Sequence, residues 1–377
     1  MTRMTVGRLL EPFSFPRFCA SYYEKRPLLI RRQSPSYYDS LLTLESVNAH
    51  LGEASLASTE LRLVRNGDHL AEEDFTWPDS SDITRFVGEA ADKEALFARF
   101  YDGYSIIINS YERHRAAVLH LRHDLERAFH ATAVSYVFLT PRNAQGFRAH
   151  RDTVDTFVLQ FAGTKEWIVR GRSGKPLIAA TLEPGDFLYM PSGFVHEARS
   201  TDAVSGHITF TLDKLTYADL LRQIADNAEA SAWLRRSLPV DFRNPASQDE
   251  FLRRVHEFFD DADVRAYLDR MHSDFTEDRL PDTSDRLADY VKLPSTDAAT
   301  RFRTRSVVSP ELTNGGGRVV LTFHRKSLEF PATAAQTLRC IIDTGEFTAT
   351  TLPGNRDDNL ALCRTLVREG FLTIPES

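Results

Sequence analysis

The 377-residue sequence contains few cysteines and no long apolar run. Cys19, Cys340 and Cys363 are odd in number and far apart, which argues against a disulfide framework and a thiolate metal site. No apolar stretch approaches the roughly 18 residues of a membrane span, and the N-terminus has no apolar core of the kind that a signal peptide needs. We therefore expect a cytoplasmic protein without a membrane segment.

The sequence also has no excess of basic charge. Its formal charge is −7, and residues 301–377 carry only ten Lys and Arg against eight Asp and Glu. The last helical pattern begins with the acidic pair Asp357 and Asp358. Because a dedicated nucleic-acid-binding protein presents a basic face, we expect no nucleic-acid partner.

From about residue 61 the sequence contains a series of short β-branched and aromatic runs. They are 4–8 residues long and are bounded by Gly, Pro, Asn, Asp or Ser, which is typical of strands in a sandwich or barrel. Short helices are predicted over residues 1–60, and one amphipathic helix is predicted around 113–130. The strand-like runs are LRLVR, YSIIINSY, VSYVFLT, TFVLQF, EWIVRG, DFLYM and HITFTL.

After about residue 215 helical patterns replace the strands. The first ends at Pro239, and Ser247 with Glu250 predicts a capping box before the next helix. Residues 272–316 are polar and have the composition of a linker. The tail then alternates a strand, an apolar turn at 327–331 and two helices.

These changes of pattern predict three domains. Residues 1–215 form a mostly β catalytic domain, a double-stranded β-helix or cupin jelly roll with an N-terminal helical segment. Residues 216–300 form an all-α region, whose outward Phe and Leu side chains predict a homodimer. Residues 301–377 form an α+β module of winged-helix type.

The candidate chemistry lies between residues 148 and 196. On a strand, residues i and i+2 point to one face, so His150 and Asp152 bring an imidazole and a carboxylate together. His196 follows after short strands and tight turns, which a small barrel needs to return a third ligand to the first two. Two histidines and a carboxylate form the facial triad of non-haem Fe(II) oxygenases, with positions left open for a co-substrate and O₂. We predict an Fe(II) site.

Lys165 is the second candidate. It lies two residues after Gly163, at the start of a barrel strand. If its side chain points into the barrel it needs an anionic partner, such as the distal carboxylate of 2-oxoglutarate. The alternative is a solvated hairpin lysine, and the residues alone leave both interpretations open.

These motifs resemble the ribosomal-oxygenase branch of the JmjC-type 2-oxoglutarate oxygenases. The order of the flanking helical and tail segments is also similar, so the resemblance covers nearly the whole chain. It rests on FLTP (138–141), HRDTVDTFVLQFAGTKEW (150–167), LEPGDFLYMPSGFVHEA (182–198) and SGHITFTL (205–212).

The resemblance implies roles for individual residues. His150, Asp152 and His196 match the iron ligands of the family. Lys165 matches the basic residue that pairs with the C5 carboxylate of 2-oxoglutarate. Thr209 matches a hydroxyl that contacts the same co-substrate. The resemblance further implies a helical dimerisation region and a C-terminal winged helix.

Two positions depart from the family pattern. Where members often carry Asn and Tyr before the TP turn, this chain has Tyr136 and Phe138. Phe138 has no hydroxyl, so one expected hydrogen bond to the co-substrate is missing, and Tyr136 is the candidate to restore it.

Further polar residues surround the motif. Asp155 matches an acidic position of the family and would orient a ligand from outside the coordination sphere, although a turn or surface aspartate is the alternative. His207 is expected to be a hydrogen-bonded interior histidine, and the alternative is a position next to the metal ligands, outside the coordination sphere. Four histidines of the 113–130 region lack metal-binding spacing and are expected at the surface: His114, His120, His123 and His130.

We therefore expect a 2-oxoglutarate-dependent dioxygenase that hydroxylates an amino-acid side chain in a protein or peptide. Its cofactors would be Fe(II), 2-oxoglutarate as co-substrate and O₂, and its substrate a ribosomal protein or a peptide natural product. Two alternatives stay open. One is a metal-dependent cupin enzyme that does not use 2-oxoglutarate, and the other is a non-enzymatic winged-helix regulatory protein.

Overall fold

The computed structural model describes residues 3–53, 56–77, 90–171, 173–227, 232–238, 240–307 and 309–375. The chain divides into two compact units, Met1–Asp213 and Lys214–Ser377. Among the described helices, none has the combination of length and apolarity that crossing a membrane requires.

The N-terminal unit begins with short helices and continues as a sheet structure. Its helices are α1 (Val6–Leu10), α2 (Phe15–Ser21), α3 (Leu44–Glu53), α4 (Lys93–Tyr101) and α5 (Ala116–Phe129). Its strands are β1 (Leu28–Ile30), β2 (Leu61–Arg65), β3 (Asp68–His69), β4 (Ser105–Asn109), β5 (Ala131–Thr140), β6 (Asp155–Ala162), β7 (Lys165–Arg170), β8 (Pro176–Leu182), β9 (Phe187–Met190), β10 (Val195–Ser200) and β11 (Ser205–Lys214). Each strand-like run of the sequence overlaps one of these strands, as predicted.

Two sheets face each other in this unit. The major sheet has the order β1-β9-β6-β11-β5-β4-β2-β3, and the minor sheet has the order β10-β7-β8. Alternate residues of β6 pack on opposite faces of the major sheet. Phe157 and Leu159 belong to the core that the helices cover. Val158 packs on the other face, against Trp167 and Val169 of the minor sheet. The predicted β-rich, cupin-like architecture is confirmed.

Strand β5 shows which face of the major sheet the site occupies. From Ala131 to Leu139 buried residues alternate with half-buried ones. The half-buried set, which includes Tyr136 and Phe138, lines a cavity between the sheets. The opposite set packs on α5, whose buried face includes Val118 and Leu121.

The C-terminal unit combines helices with two small sheets, ordered β13-β14-β15 and β16-β12-β17. Its helices are α6 (Tyr217–Asp226), α7 (Pro245–Asp260), α8 (Val264–Glu277), α9 (Arg286–Lys292), α10 (Ala335–Thr344) and α11 (Arg356–Glu369). Its strands are β12 (Arg301–Thr304), β13 (Glu311–Gly315), β14 (Arg318–Phe323), β15 (Lys326–Pro331), β16 (Glu346–Thr348) and β17 (Leu372–Thr373).

The predicted capping box at Ser247 and Glu250 is wrong. Helix α7 begins at Pro245, and the side chain of Asn244 accepts a hydrogen bond from the backbone N–H of Ala246 over 3.0 Å. An asparagine cap followed by proline in the first helical position is a strong start signal, so Ser247 lies inside the first turn. Pro239, where the preceding helix was predicted to end, lies outside the described residues.

Residues 272–316 are not a linker, because they contain the end of α8 together with α9, β12 and β13. Their polarity misled the prediction because some polar residues are buried. Arg305 forms an ion pair with Asp289 in the interior, and Asp289 also accepts the backbone N–H of Ile374 over 2.8 Å. The segment 327–331 is likewise part of strand β15 rather than a turn.

Candidate functional site

The three predicted metal ligands lie together at one end of the cavity between the sheets. One ligand atom from each of His150, Asp152 and His196 lies within 4.8 Å of the others. The Nε2 atom of His150 is 3.8 Å from Oδ1 of Asp152, and Nε2 of His196 is 3.6 Å from Oδ2 of the same carboxylate. Two imidazoles and one carboxylate therefore converge on a common point.

Backbone pairing fixes the spacing of the two histidines. The N–H of His150 donates to the carbonyl of His196 over 3.0 Å, and the N–H of His196 donates back over 2.8 Å. The N–H of Gly193 donates to the carbonyl of Asp152 over 2.8 Å. The PSG turn before His196 is thus hydrogen-bonded to the segment between β5 and β6 that carries the other two ligands.

Each imidazole has a backbone carbonyl next to its Nδ1 atom. Nδ1 of His150 lies 2.8 Å from the carbonyl oxygen of Arg148, and Nδ1 of His196 lies 3.1 Å from that of Phe194. With the ring proton on Nδ1, each histidine donates to its carbonyl and keeps the Nε2 lone pair free for a metal. This donor set fits a divalent transition metal.

The environment of His196 keeps its ring neutral. Burial lowers the pKa of His196, and the nearby His150 lowers it further, while Asp152 acts in the opposite direction. The ring of Trp167 stacks beside that of His196, with centroids 6.1 Å apart. A neutral imidazole is the form that coordinates a metal.

A cavity of about 480 Å³ extends from the metal ligands between the two sheets. This volume lies in the range of small-molecule sites. Among the side chains that line it are Arg62, Tyr136, Phe138, Thr140, His150, Asp152, Lys165, Trp167, Met190, His196, His207, Thr209 and Asp213.

Lys165 points into this cavity rather than into solvent. Its side chain is 4% exposed, and its ammonium group donates to Oγ1 of Thr140 over 3.0 Å. Among the described residues, no carboxylate lies within ion-pair distance of it. Burial therefore lowers the pKa of Lys165 to about 7, because desolvation penalises the charged form.

Three other residues singled out by the sequence line the same cavity. Thr209 is buried on β11, and Tyr136 and Phe138 occupy alternate positions of β5. The guanidinium of Arg62 lies 5.5 Å from the centre of the Tyr136 ring, within the range of a cation–π contact.

Asp155 is fully buried, so the surface interpretation is wrong. Its carboxylate accepts the hydroxyl of Tyr189 over 2.7 Å and the backbone N–H of Ser192 over 3.0 Å. Ser192 belongs to the turn that precedes His196. Burial of Tyr189 raises the pKa of its hydroxyl, and the charge of Asp155 raises it further, so this hydroxyl remains a proton donor.

His207 lies in the interior, as expected, but it lacks the expected hydrogen bond at one nitrogen. It is 2% exposed, and its Nδ1 atom has no hydrogen-bond partner in the described structure. Of the four histidines expected at the surface, His123 is fully buried in α5. Leu119, four residues before it, and Glu126, three residues after it, are also buried, so this side of the helix packs inside the protein.

Thr140, Trp167 and Arg62 are among the cavity residues that the sequence patterns did not single out. Two of them carry a signal in the strand alternation, because Thr140 lies four residues after Tyr136 and Trp167 lies two after Lys165. Arg62 has no such signal. It reaches the cavity through the pairing of β2 with β4, which no local pattern predicts.

The JmjC domain family matches residues 113–220, the segment that holds the three candidate ligands. The bifunctional lysine-specific demethylase and histidyl-hydroxylase NO66 of Aedes aegypti is 27% identical over 326 residues, which cover 74% of this chain and 49% of that protein. Human ribosomal oxygenase 1 is 28% identical over 322 residues, covering 72% of this chain and 47% of that protein. The chain therefore spans about half the length of these curated relatives.

Solved structures show the same fold at lower identity. The crystal structure of Escherichia coli ribosomal oxygenase YcfD is 16% identical, has a TM-score of 0.55 and covers 100% of both chains. A structure of YcfD in complex with cobalt and 2-oxoglutarate has a TM-score of 0.53 and covers 96% of this chain and 98% of that chain. As the motifs predicted, residues 113–220 thus match the JmjC domain family, and the chain is similar over most of its length to ribosomal oxygenases.

Proposed function

We propose that this chain is an Fe(II)- and 2-oxoglutarate-dependent oxygenase that hydroxylates an amino-acid side chain in a protein or peptide. The observation that carries the proposal is the position of Lys165. A buried cation without a carboxylate partner among the described residues lines the same cavity as a two-histidine, one-carboxylate set. A dicarboxylate bound in this cavity would give Lys165 its anionic partner and would offer oxygen ligands to the metal.

The metal would be held by Nε2 of His150, Nε2 of His196 and a carboxylate oxygen of Asp152. When bound, iron(II) supplies the activation of O₂ that is coupled to oxidative decarboxylation of 2-oxoglutarate. The chain contributes the geometry, through the backbone pairing of the two histidines and the carbonyls that orient their rings. It also excludes water, because the apolar rings of Phe138 and Trp167 line the cavity.

The co-substrate would lie with its distal carboxylate on Lys165 and Thr140. In this position Thr209 and Tyr136 supply further hydroxyls from the facing strands. Asp155 acts at a distance, because its bond to Ser192 supports the turn that carries His196. These roles follow from the shared cavity and from the contacts of each side chain.

The substrate class rests on the relatives. Those compared above have names that state a histidyl-hydroxylase or a ribosomal oxygenase, which supports a protein side chain as the target. The target would then be a ribosomal protein, with a peptide natural product as the second class. Incubation with peptides of both classes, 2-oxoglutarate, Fe(II) and O₂ should add 16 Da to a substrate. Loss of that product when 2-oxoglutarate is omitted completes the assignment.

The binding experiment is an anaerobic titration of the Fe(II)-loaded protein with 2-oxoglutarate, followed by the visible metal-to-ligand charge-transfer band. The band should form in the wild type and fail in Lys165→Ala and His196→Ala. Lys175→Ala, which removes an exposed lysine of the β7–β8 hairpin, is the matched control. Iron binding without any band would favour a cupin enzyme that does not use 2-oxoglutarate.

The helices of the C-terminal unit are proposed to mediate homodimerisation, in line with the family resemblance. Their exposed apolar residues include Tyr217, Leu221, Phe251 and Leu268, of which Tyr217 is 89% exposed. Sedimentation of the full chain should give a dimer. Leu221→Arg is expected to shift it toward the monomer, whereas Arg222→Glu on the same helix serves as a charge control.

The segment 301–377 is proposed to be a winged-helix module that docks protein rather than DNA. Its two small sheets share one apolar core with helices α10 and α11, and α11 begins with the exposed pair Asp357 and Asp358. Phosphate contacts would require a basic face there. Strong, salt-dependent binding to duplex DNA at physiological ionic strength would instead support the regulatory alternative.

A further inference from the structure

His207 is a cavity residue to which the metal and co-substrate roles above assign no task. It lies on β11, two residues before Thr209, and its side chain lines the same cavity as Lys165. A lone buried histidine is usually a packed core residue whose polar atoms are satisfied. His207 departs from that expectation, because its buried Nδ1 atom has no hydrogen-bond partner in the described structure.

The neighbouring rings fix the plane of His207. Phe138 stacks on it with ring centroids 4.6 Å apart and an interplanar angle of 5°, and Trp167 meets it edge-on at 5.6 Å and 79°. A ring held between two aromatic side chains cannot reorient at low cost. The ring of His207, with its unpartnered Nδ1 atom, therefore has one fixed orientation in the site.

The backbone of β11 is irregular at His207. The register between β11 and β6 shifts between Gly206 and His207, and a β-carbon at Gly206 would lie 2.7 Å from the ring of Phe161. A larger residue would have to displace that ring. Such bulges commonly re-aim a side chain next to an active site.

His207 also lies beside the group that binds the proposed dicarboxylate. Burial lowers the pKa of His207 well below its ordinary value, and the charge of Lys165 lowers it further. Lys165 in turn donates to Thr140, two residues from Phe138 on β5. The imidazole is thus neutral, has one N–H to donate, and borders the Lys165 end of the cavity.

We propose that His207 donates a hydrogen bond through Nδ1 to the distal carboxylate of the 2-oxoglutarate that Lys165 binds. This inference rests on the proposed function. Lys165 and Thr140 supply two donors to that carboxylate, and the ring of Phe138 supplies none. His207 then acts as the third donor and as a determinant of selectivity for a five-carbon dicarboxylate.

The test compares two ligands that differ only at the proposed contact. Isothermal titration of the Mn(II)-loaded protein measures the affinities for 2-oxoglutarate and for 2-oxopentanoate, which has the same chain length without the distal carboxylate. His207→Phe keeps an aromatic ring against Phe138 but removes the donor. His207→Asn keeps an N–H near the position of Nδ1.

In His207→Phe the affinity for 2-oxoglutarate should fall on the order of tenfold, while that for 2-oxopentanoate stays unchanged. His207→Asn should retain most of the wild-type preference. If His207→Phe does not fold, His207→Gln, whose amide corresponds to Nε2 instead, should show the same selective loss.

Equal weakening of both ligands would overturn the inference, since it indicates a packing role, and so would an unchanged affinity for 2-oxoglutarate. If the wild-type protein binds neither ligand, the proposed function fails and the role of His207 falls with it. Unchanged binding in the variants, with normal binding in the wild type, removes only the role of His207.

Discussion

The ammonium group of Lys165 lies 3.0 Å from the hydroxyl oxygen of Thr140, inside a cavity where it meets no carboxylate of the described chain. A charged group in this position costs free energy in the protein alone and is stabilised when an anion enters. The pair therefore links the stability of the protein to its affinity for an acidic ligand.

Replacing Lys165 by Met should weaken 2-oxoglutarate binding about 10- to 100-fold, because it removes a hydrogen bond between charged groups. Isothermal titration of the metal-loaded protein measures the change. Lys175→Met, at an exposed hairpin position, should bind like the wild type. A wild-type affinity in Lys165→Met would place the co-substrate elsewhere.

The same substitution should stabilise the ligand-free protein. The pKa of Lys165 is lowered to about 7 by burial, whereas in the unfolded chain it is near the ordinary value of about 10.4. Below pH 7 both states are protonated, and the folded state bears the full desolvation penalty. Between pH 7 and about 10.4 Lys165 is deprotonated in the folded state but still protonated in the unfolded chain. The free energy of unfolding of the wild type therefore rises with pH over this range.

Urea unfolding should therefore show Lys165→Met to be more stable than the wild type by a few kcal/mol at pH 6. The difference should shrink as the pH rises from 7 toward 10. A difference that is independent of pH would mean that packing, rather than charge, explains the gain. Lys175→Met provides the baseline for both measurements.

Removing His196 should abolish high-affinity metal binding, because two ligands no longer complete the set on one face. Titration of the protein with Co(II), followed by its visible absorption, compares His196→Ala with the wild type. His256→Ala, at an exposed position of α7, controls for the loss of a histidine. Retained stoichiometric binding in His196→Ala would point to a different ligand set.

Asp155→Ala should both destabilise the protein and loosen the metal site. It leaves the hydroxyl of Tyr189 and the N–H of Ser192 without their acceptor, which should cost about 3 kcal/mol of unfolding free energy. Because Ser192 lies in the turn before His196, metal affinity should fall about tenfold. Asp202→Ala is the exposed control. Lower stability with unchanged metal affinity would restrict Asp155 to a structural role.

The sequence predicted the parts of the site that depend on local periodicity. His150 and Asp152 lie before β6 rather than in a strand, and His150 forms an isolated β-bridge with His196, so the predicted i and i+2 pair converges outside a regular strand. The runs from LRLVR to HITFTL gave strands because their lengths and boundaries are typical of β-structure. The turn residues before His196 also predicted its return to the other two ligands. The structure brings all three together.

Local patterns could not decide what depends on distant partners. The orientation of Lys165 follows from Thr140 and the surrounding burial, neither of which is encoded near residue 165. The segment 272–316 was predicted to be a linker because charged residues such as Arg305 and Asp289 have the same composition whether their ion pair is buried or solvated. The stacking of His207 on Phe138 likewise joins strands that are far apart in sequence.

The paired backbone hydrogen bonds between His150 and His196 have a consequence for the energetics of metal loading. The chain has already closed the loop between these residues through its own backbone, so the entropy of loop closure does not oppose the ion. The affinity for the metal is then set by the chemistry of the three ligands and not by the free energy of folding. Chelation and reloading should consequently be reversible on an intact scaffold, in contrast to small zinc domains that unfold with their metal.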